Sequence, residues 1–546
     1  MVSSKKIMMP ISIEGGKIRG KYEKSGRVAV FKGVPYAKPP IGEYRWKPPQ
    51  PVEPWEGIIE TTRFSPMALQ MDVDYEPFMN KLMDGLGWSS FRNVVIKNLV
   101  KFAPKPKQSE DCLYLNIRTP SLDKDAKLPV MVWIHGGGHQ WGSGSDIFYD
   151  SNALALQEVV VVYINYRLAI MGFFTHPELS NESEHGVSGN YGTLDQIAAL
   201  RWVQNNIEAF GGNPDNVTIF GESAGGESVA HMMTSALAKG LFHKAIMQSP
   251  ATYCQMIHLK QQFLTYPAAE DIGKAFAGKV VSNNGNRLSE LRKMPAQKIN
   301  ETLKKERDLD FFFPVIDGYV LKKSPFKMFL KGEQSHVPLL LGSNSDEGTL
   351  FYSLFYSPLV EYKHKGILPH KVPELLRNEF GSDADKLFKL YPGLKDGRDE
   401  AITSLLGDEM FCSKAYFYAN QAKKAGQDVY MYHFTRTPPS PKQTIGAHHA
   451  AEIPFVHGSQ SLAFPMTDKE IVLSKVMIDY WTQFAKTGNP NVAPHPVWPL
   501  FDLDDKMWMQ IGDNVENTKI QKEDKYKILI KRLLGQIEKM ENLRNK

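Results

Sequence analysis

The stretch NVTIFGESAGGES, residues 216–228, decides the fold of this chain. Its first half is a run rich in β-branched and aromatic residues, which is typical of a buried strand. Its second half places Ser223 in the pattern G-x-S-x-G, ahead of a segment that can form a helix. A strand, a sharp turn with a serine at its tip and a helix together make a nucleophile elbow, in which flanking glycines leave room for the strained turn. The alternative is an ordinary strand-to-helix turn in which Ser223 only caps the helix.

A second motif, HGGGHQW, follows the apolar run LPVMVWI (128–134). Consecutive glycines let backbone N–H groups approach an anion without side chains in the way. A phosphate-binding loop also uses glycines, but it would place a lysine and a Ser or Thr after them. His139, Gln140 and Trp141 stand there instead. Together with Ser223 downstream, the glycine run predicts an oxyanion hole.

A nucleophilic serine needs a histidine that takes its proton and a carboxylate that orients the histidine. In a fold with a nucleophile elbow, the acid follows the serine along the chain and the histidine follows the acid. After the apolar run VPLLL, the stretch GSNSDEG offers Asp346 and Glu347. After the run DVYMYHF, the stretch GAHHAAE offers His448 and His449. The pattern of residues leaves both choices open.

The chain alternates short β-rich runs with longer helical patterns, which predicts an α/β fold with a mostly parallel central sheet covered by helices. The predicted strands are 128–134, 158–166, 216–220, 244–249, 337–344, 428–434 and 507–512. The clearest helical pattern covers residues 192–210. Neither a repeat nor a long linker divides the sequence, so we expect one domain over residues 1–546. The long segments 70–108, 255–335 and 352–427 are expected to be insertions that form a gorge or cap.

The composition excludes several classes of protein. The 546 residues include 65 Lys and Arg against 60 Asp and Glu, and both signs are interspersed, so we expect no nucleic-acid partner. The three cysteines have neither metal-ligand nor redox spacing. No apolar run reaches the length of a membrane span, and the first residues lack the cleavage site of a secretory signal. We therefore expect a soluble cytoplasmic protein; a secreted mature form that has lost its signal is the alternative.

These motifs belong to a wider set of stretches that resemble the type-B carboxylesterases, the cholinesterase-like branch of the α/β hydrolases. The stretches are FKGVPYAKPPIGEYRWKPPQP (31–51), SEDCLYLNI (109–117), VWIHGGGHQWGSG (132–144), INYRLAIMGFF (164–174), GNYGTLDQIAALRWVQNNIEAFGGNPDNVTIFGESAGG (189–226), SDEG (345–348) and GAHHAAEIPFVHG (446–458). The resemblance covers nearly the whole chain, and the residues of these stretches are most similar to those of bacterial members. It implies an α/β-hydrolase fold, a serine esterase that needs no metal or organic cofactor, and a monomer or homodimer.

The resemblance also assigns the catalytic residues. It implies that Ser223 is the nucleophile and that the acid is Glu347 rather than Asp346. The base falls on His449, which stands three residues before Glu452.

The remaining assignments concern groups around these three. The resemblance implies an oxyanion hole formed by the backbone N–H groups of Gly137, Gly138 and Ala224. It implies that Glu222 and Ser249 support the triad.

Three features depart from the family pattern. Members usually pair the cysteine of SEDCLYLN with one upstream, but no cysteine precedes Cys112, so that disulfide cannot form within this chain and a reducing compartment is indicated. His139 stands where an aromatic residue is common, and it either tunes the acyl pocket or packs against its neighbours. The insertion 83–106 lies where cholinesterases carry a choline-stacking tryptophan. Trp88 does not align with that tryptophan, so a cation–π choline site is not indicated.

The expected reaction is hydrolysis of small to medium apolar esters through an acyl-enzyme, with activity that falls in mild acid as His449 takes up a proton. One alternative is a catalytically silent cholinesterase-like binding protein, although such proteins usually lack part of the triad or of the glycine run. The other is a hydrolase whose main substrate is an amide, lactone or carbamate.

Overall fold

Strands and helices alternate along the chain in a computed structural model, which describes residues 8–70, 75–102, 106–251, 257–262, 267–281, 286–306, 312–351, 372–460 and 465–544. The strands are β1 (Ile11–Ile13), β2 (Gly16–Arg19), β3 (Lys21–Tyr22), β4 (Ala29–Pro35), β5 (Ile58–Glu60), β6 (Met67–Ala68), β7 (Gln108–Ser109), β8 (Tyr114–Thr119), β9 (Leu128–Ile134), β10 (Val160–Ile164), β11 (Gly212–Glu222), β12 (Lys244–Gln248), β13 (Leu339–Asn344), β14 (Val429–Phe434), β15 (Met507–Ile511) and β16 (Val515–Lys519).

The α-helices pack around the strands, and one of them continues into a π-helical turn at Asp408–Cys412. They are α1 (Tyr75–Gly85), α2 (Ser90–Phe102), α3 (Ala169–Phe173), α4 (Pro177–Glu182), α5 (Tyr191–Asn206), α6 (Ala224–Thr234), α7 (Ala269–Val280), α8 (Arg287–Lys293), α9 (Ala296–Lys305), α10 (Pro325–Leu330), α11 (Val372–Phe380), α12 (Ala384–Leu390), α13 (Asp399–Gly407), α14 (Ser413–Lys424), α15 (Ile453–His457), α16 (Asp468–Thr487) and α17 (Glu523–Arg544). Among the described residues, none of these helices combines the length and apolar character needed to cross a bilayer.

The main sheet has the strand order β16-β15-β14-β13-β12-β11-β9-β10-β8-β4-β3. The strands from β15 to β10 pair in parallel, while β16, β8, β4 and β3 pair antiparallel at the two edges. This confirms the predicted α/β fold with a mostly parallel sheet. The parallel strands could be predicted from the sequence because both of their faces are buried, which makes them continuous apolar runs.

Strand β9 shows how the sheet divides the core into two layers. Val130, Val132 and Ile134 pack into the cluster on one face, while Met131 and Trp133 pack into the cluster on the other. Successive side chains of a strand point to opposite faces, so an apolar strand with helices on both sides stabilises both layers.

The predicted strands all exist, with ends that differ by a few residues; β11 begins at Gly212, four residues before the expected start. The helix expected over 192–210 is α5, followed by a 3-10 turn at Ile207–Phe210. The antiparallel edge strands β4, β8 and β16 were not predicted. Polar residues interrupt their apolar patterns, as Lys32 does in β4, Asn116 and Arg118 do in β8, and the segment NTK does in β16. The division of the chain into a single domain stays a prediction.

Candidate active site

Ser223 lies at the turn between β11 and α6 with a strained backbone, φ 59° and ψ −125°. A non-glycine residue adopts a positive φ only where its surroundings enforce it. Here the Ser223 N–H donates to the carbonyl of Gln248 at 2.9 Å, and its own carbonyl accepts from the N–H of Glu227 at 2.9 Å. The Ser223 side chain makes no capping hydrogen bond to α6. The geometry is therefore that of an elbow, and the helix-cap alternative is wrong.

Two glycines allow the segments around this elbow to meet. A Cβ atom on Gly136 would lie 2.6 Å from the Glu222 carbonyl oxygen and 3.1 Å from Cβ of Ser223. A Cβ atom on Gly225 would lie 2.0 Å from the carbonyl oxygen of Ile134. The end of β9, the glycine loop and the first turn of α6 can approach this closely only because these positions have no side chain.

The predicted oxyanion-hole residues line the same cavity as Ser223. Gly137 and Gly138 come from the loop after β9, and Ala224 is the first residue of α6. The first N–H groups of a helix have no partner within the helix and carry partial positive charge, so the N–H of Ala224 is suited to an anionic oxygen. The structure brings these two segments together at Ser223.

Glu347 and His449 form a short, buried contact, with Nδ1 of His449 at 2.6 Å from Oε2 of Glu347. Glu347 follows β13 and His449 lies in the loop after β14, so both belong to the carboxyl ends of parallel strands, the edge at which such sheets build sites. Oε1 of Glu347 accepts from the N–H of Asn344 at 2.8 Å and from the hydroxyl of Ser249. These bonds fix the carboxylate and leave Oε2 for the imidazole.

The other two candidates, Asp346 and His448, serve the connection between the two loops. The carboxylate of Asp346 accepts from the N–H of Ala447 at 2.9 Å, and Asp346 and His448 form an isolated parallel bridge. Nδ1 of His448 lies 2.7 Å from the carbonyl oxygen of His449 rather than against an acid. The geometry thus selects Glu347 and His449, the pair that the resemblance implied.

Glu222 lies on the other side of the imidazole. Its Oε1 is 3.1 Å from Nε2 of His449, yet neither atom makes a well-formed hydrogen bond within the described chain. Burial raises the pKa of Glu222 well above its ordinary value, against the attraction of His449. Burial lowers the pKa of His449, but Glu222 and Glu347 outweigh it and raise that pKa to about 9. The titrations of Glu222 and His449 are therefore coupled, because the charge of each group acts on the other.

Two aromatic rings hold the His449 imidazole in place. The ring of Phe411 stacks on it at 4.2 Å between centroids and 29° between planes, and Phe351 meets it edge-on at 4.9 Å. Phe411 belongs to the π-helical turn Asp408–Cys412, a rare local structure that is frequent at functional sites. Sequence reasoning missed these residues, because their segments are remote in the chain and carry no motif.

A third carboxylate, Glu452, is fully buried behind the site. It accepts from Nε2 of Gln248 at 3.0 Å and from Nδ2 of Asn344 at 2.7 Å. The amide oxygen of Gln248 in turn accepts from the indole N–H of Trp481 at 3.1 Å. This network links β12, β13 and the His449 loop. The spacing H-x-x-E was the available signal for Glu452, which the sequence analysis used only to choose between the histidines.

These groups open into a cavity of about 210 Å³ with mostly apolar walls. Each of the three long insertions contributes to it, as expected of a gorge. Their residues in the wall include Leu82, Leu86 and Trp88 from the first, Phe313 from the second, and Met410 and Phe411 from the third. The guanidinium of Arg92 lies over the Trp88 ring at 4.1 Å.

Asp195 and Cys112 are buried away from the catalytic groups. Asp195 is fully buried and accepts from the Arg167 guanidinium at 2.7 Å through both oxygens and from the Arg167 N–H at 3.0 Å. Such a bidentate pair fixes the loop after β10 against α5. Cys112 is a buried free thiol. The cellular compartment and the oligomeric state stay predictions.

A central strand that is followed by a serine on a strained turn, with the acid and the histidine in loops after later strands, defines an α/β hydrolase. Comparison with known proteins narrows this class: the chain matches the carboxylesterase family over residues 8–529 and belongs to it. It is a carboxylesterase.

Relatives from animals and bacteria agree with this assignment. The chain is 38% identical over 538 residues to a liver carboxylesterase of Sus scrofa, covering 92% of this chain and 89% of that protein. It is 36% identical over 504 residues to the para-nitrobenzyl esterase of Bacillus subtilis, covering 90% and 92%. The crystal structure of a Geobacillus stearothermophilus carboxylesterase superimposes with a TM-score of 0.77 at 30% identity, covering 95% of this chain and 99% of that one.

Proposed function

We propose that this carboxylesterase hydrolyses small to medium apolar esters through an acyl-enzyme on Ser223, with His449 as the base and Glu347 as the residue that orients it. The observation that carries the proposal is the 2.6 Å contact between Nδ1 of His449 and Glu347, with His449 and Ser223 in the wall of one cavity. Because Nδ1 is engaged, Nε2 is the nitrogen that can accept a proton from the serine.

In the first half-reaction, the Ser223 oxygen attacks the ester carbonyl carbon while Nε2 of His449 takes the hydroxyl proton. The carbonyl π electrons move to the oxygen, which becomes an anion held by the N–H groups of Gly137, Gly138 and Ala224. The tetrahedral intermediate then collapses: the bond to the alkoxy oxygen breaks, and His449 gives its proton to the leaving alcohol. Glu347 stabilises the imidazolium that exists between these two transfers.

In the second half-reaction, His449 takes a proton from water, whose oxygen attacks the acyl carbon of the acyl-enzyme. The second tetrahedral intermediate releases the carboxylic acid and returns the proton to Ser223. Each oxyanion-hole donor is worth about 3 to 4 kcal/mol in comparable sites.

Glu222 tunes the base in this scheme. When it is ionised, it favours the protonated form of His449 and thus stabilises the imidazolium intermediate. A proton on Nε2 must leave that nitrogen before it can accept the proton of the Ser223 hydroxyl, so the same carboxylate moves the onset of activity to higher pH.

The cavity indicates the substrate class. Its walls are mainly aliphatic and aromatic, and its volume of about 210 Å³ holds an acyl chain and an alkoxy group of modest size. The name of the Bacillus subtilis relative, para-nitrobenzyl esterase, is in keeping with a small aryl-methyl ester.

Hydrolysis of a series of p-nitrophenyl esters, from acetate to decanoate, tests the proposal in the wild type and in Ser223→Ala. We expect the variant to lose about 10⁵-fold or more in kcat. Ser228→Ala is the matched control: Ser228 lies on α6 and accepts from Nε2 of Gln196 at 3.0 Å, away from the triad, so this variant should stay active.

The outcomes separate the alternatives. Undiminished hydrolysis by Ser223→Ala would overturn the proposal. A folded wild type that cleaves amides, lactones or carbamates far faster than any of these esters would replace the substrate class while keeping the triad.

A further inference from the structure

A second histidine–carboxylate cluster lies at the elbow and takes no part in the mechanism above. Nε2 of His139 lies 3.5 Å from Oε2 of Glu227, and Nε2 of His231 lies 3.7 Å from its Oε1. The two imidazole rings are nearly parallel, with centroids 6.1 Å apart. All three residues are at most 2% exposed. The three groups are not arranged as a metal site within the described chain.

Burial sets the charge of the groups around this contact. Burial lowers the pKa of His231 to about 4, so His231 is neutral near pH 7. Of the other titratable groups that face the cluster, His135 has its pKa lowered by burial to about 4, and burial raises the pKa of Tyr166 far above neutrality. These neighbours are therefore uncharged near pH 7, and the contact between His139 and Glu227 lies in a buried environment where polar contacts are strong.

The position of the pair is what gives it a role. His139 directly follows Gly138 in the loop after β9, and Glu227 lies three residues after Ala224 on α6. The N–H of Glu227 also donates to the Ser223 carbonyl. The two side chains thus join the two separate segments that supply the oxyanion hole. The Phe173 ring, 5.5 Å from the His139 ring between centroids, helps to exclude water from the contact.

We propose that His139 and Glu227 form a positioning contact that holds the glycine loop against helix α6 and so sets the geometry of the oxyanion hole. The inference rests on the proposed function, since it acts through the oxyanion hole named there. Both residues also line the cavity, and a positioning role is separated from direct contact with substrate by its kinetic effect. Its effect should fall on the transition state, where the oxyanion develops, and not on binding of the ester.

A double-mutant cycle tests this with His139→Phe, Glu227→Gln and the double variant. We expect each single variant to lose about tenfold in kcat, with KM changed less than about twofold, because a displaced oxyanion hole weakens only transition-state contacts. The double variant should lose no more than the worse single variant, since both changes break one contact. A trifluoromethyl ketone, which forms the tetrahedral adduct, should bind each variant about tenfold more weakly.

Rates are expressed per active site, titrated with a fluorophosphonate, so that misfolded protein does not count. His433→Gln is the matched control, because His433 is a buried imidazole that stacks on Trp508 outside the cavity wall; its kcat should be unchanged. If Glu227→Gln does not fold, Glu227→Asp keeps the carboxyl group with a shorter reach and should lose less than tenfold.

Three results would overturn the inference. They are an unchanged kcat in folded His139→Phe, losses that multiply to about 100-fold in the double variant, and a rise in KM that varies with acyl length at constant kcat. The last result would assign His139 to the acyl pocket instead. Persistent hydrolysis by Ser223→Ala would instead contradict the proposed function, so the two failures are distinguishable.

Discussion

Two buried histidine–carboxylate clusters flank the same helix start, and they differ in what each imidazole can do. His449 has Nδ1 fixed on Glu347 at 2.6 Å, while Nε2 remains without a well-formed hydrogen bond beside the cavity. His139 faces its carboxylate at 3.5 Å, and neither of its nitrogens makes a well-formed hydrogen bond within the described chain. A general base needs one nitrogen held by a hydrogen bond so that the other is oriented toward the substrate, and of these two clusters only the first holds a nitrogen in this way. Burial of an imidazole against an acid does not by itself make a base.

The two clusters also shift the pKa of a histidine in opposite directions. Three buried carboxylates, Glu222, Glu347 and Glu452, surround His449 and raise its pKa to about 9. His231 has one carboxylate and a second histidine as neighbours, and burial lowers its pKa to about 4. The number of charged partners decides the direction, because burial alone always lowers the pKa of an imidazole.

The largest expected contrast is between the histidines. His449→Gln should lose about 10⁵-fold or more in kcat, as removal of a triad base does elsewhere, whereas His231→Gln should lose less than about tenfold. Steady-state hydrolysis of p-nitrophenyl butyrate, normalised to folded protein, measures both. Equal losses in the two variants would show that the clusters share one function.

A smaller contrast is expected between the acids. Glu347→Gln should lower kcat by about 10⁴-fold, because an amide at this position can stabilise neither the tautomer with a proton on Nδ1 nor the imidazolium. The loss of about tenfold expected for Glu227→Gln provides the comparison. If Glu347→Gln kept more than about a tenth of the wild-type kcat, another carboxylate would have to orient His449.

The pH dependence of the activity tests the effect of Glu222 on His449. The pKa of His449 is raised, so its basic form is lost as pH falls through that pKa, and kcat/KM should rise with pH into the mildly alkaline range. The rise is therefore expected at higher pH than the mildly acidic range in which an ordinary imidazole loses its proton. Glu222→Gln removes a negative charge and should move the rise to lower pH by about one pH unit or more. A profile that stays in place or moves to higher pH would remove Glu222 from the account.

The smallest effect concerns the ring that stacks on the base. Phe411→Leu keeps an apolar contact but removes the flat surface against the imidazole, so His449 should sample unproductive orientations. We expect kcat to fall by about three- to tenfold while KM changes little, because a slight misorientation of a catalytic group weakens the transition state. Phe411→Tyr retains the stacking surface and should recover most of the rate. Equal kcat values for Phe411→Leu and the wild type would show that stacking is not needed.

The sequence predicted the parts of the fold and site that local patterns encode. Continuous apolar runs identify β9 to β14 because strands buried on both faces must be apolar, and G-x-S-x-G identifies Ser223 because the turn excludes larger neighbours. Local patterns do not encode contacts between remote segments. Phe411, the Glu452 network and the His139–Glu227 contact all depend on packing between segments far apart in the chain. The choice of Glu347 over Asp346 came from family resemblance, and the structure supplies its reason in the bonds from Asn344 and Ser249.

The most direct measurement of the central claim is the mass of the protein after treatment with p-nitrophenyl diethyl phosphate, followed by peptide mapping. A serine activated by His449 and Glu347 should take up a single diethylphosphoryl group, on Ser223, with loss of hydrolysis in proportion. His449→Gln should react far more slowly, while His433→Gln should react at the wild-type rate. A phosphoryl group on another residue, or full hydrolysis by protein labelled at Ser223, would contradict the account.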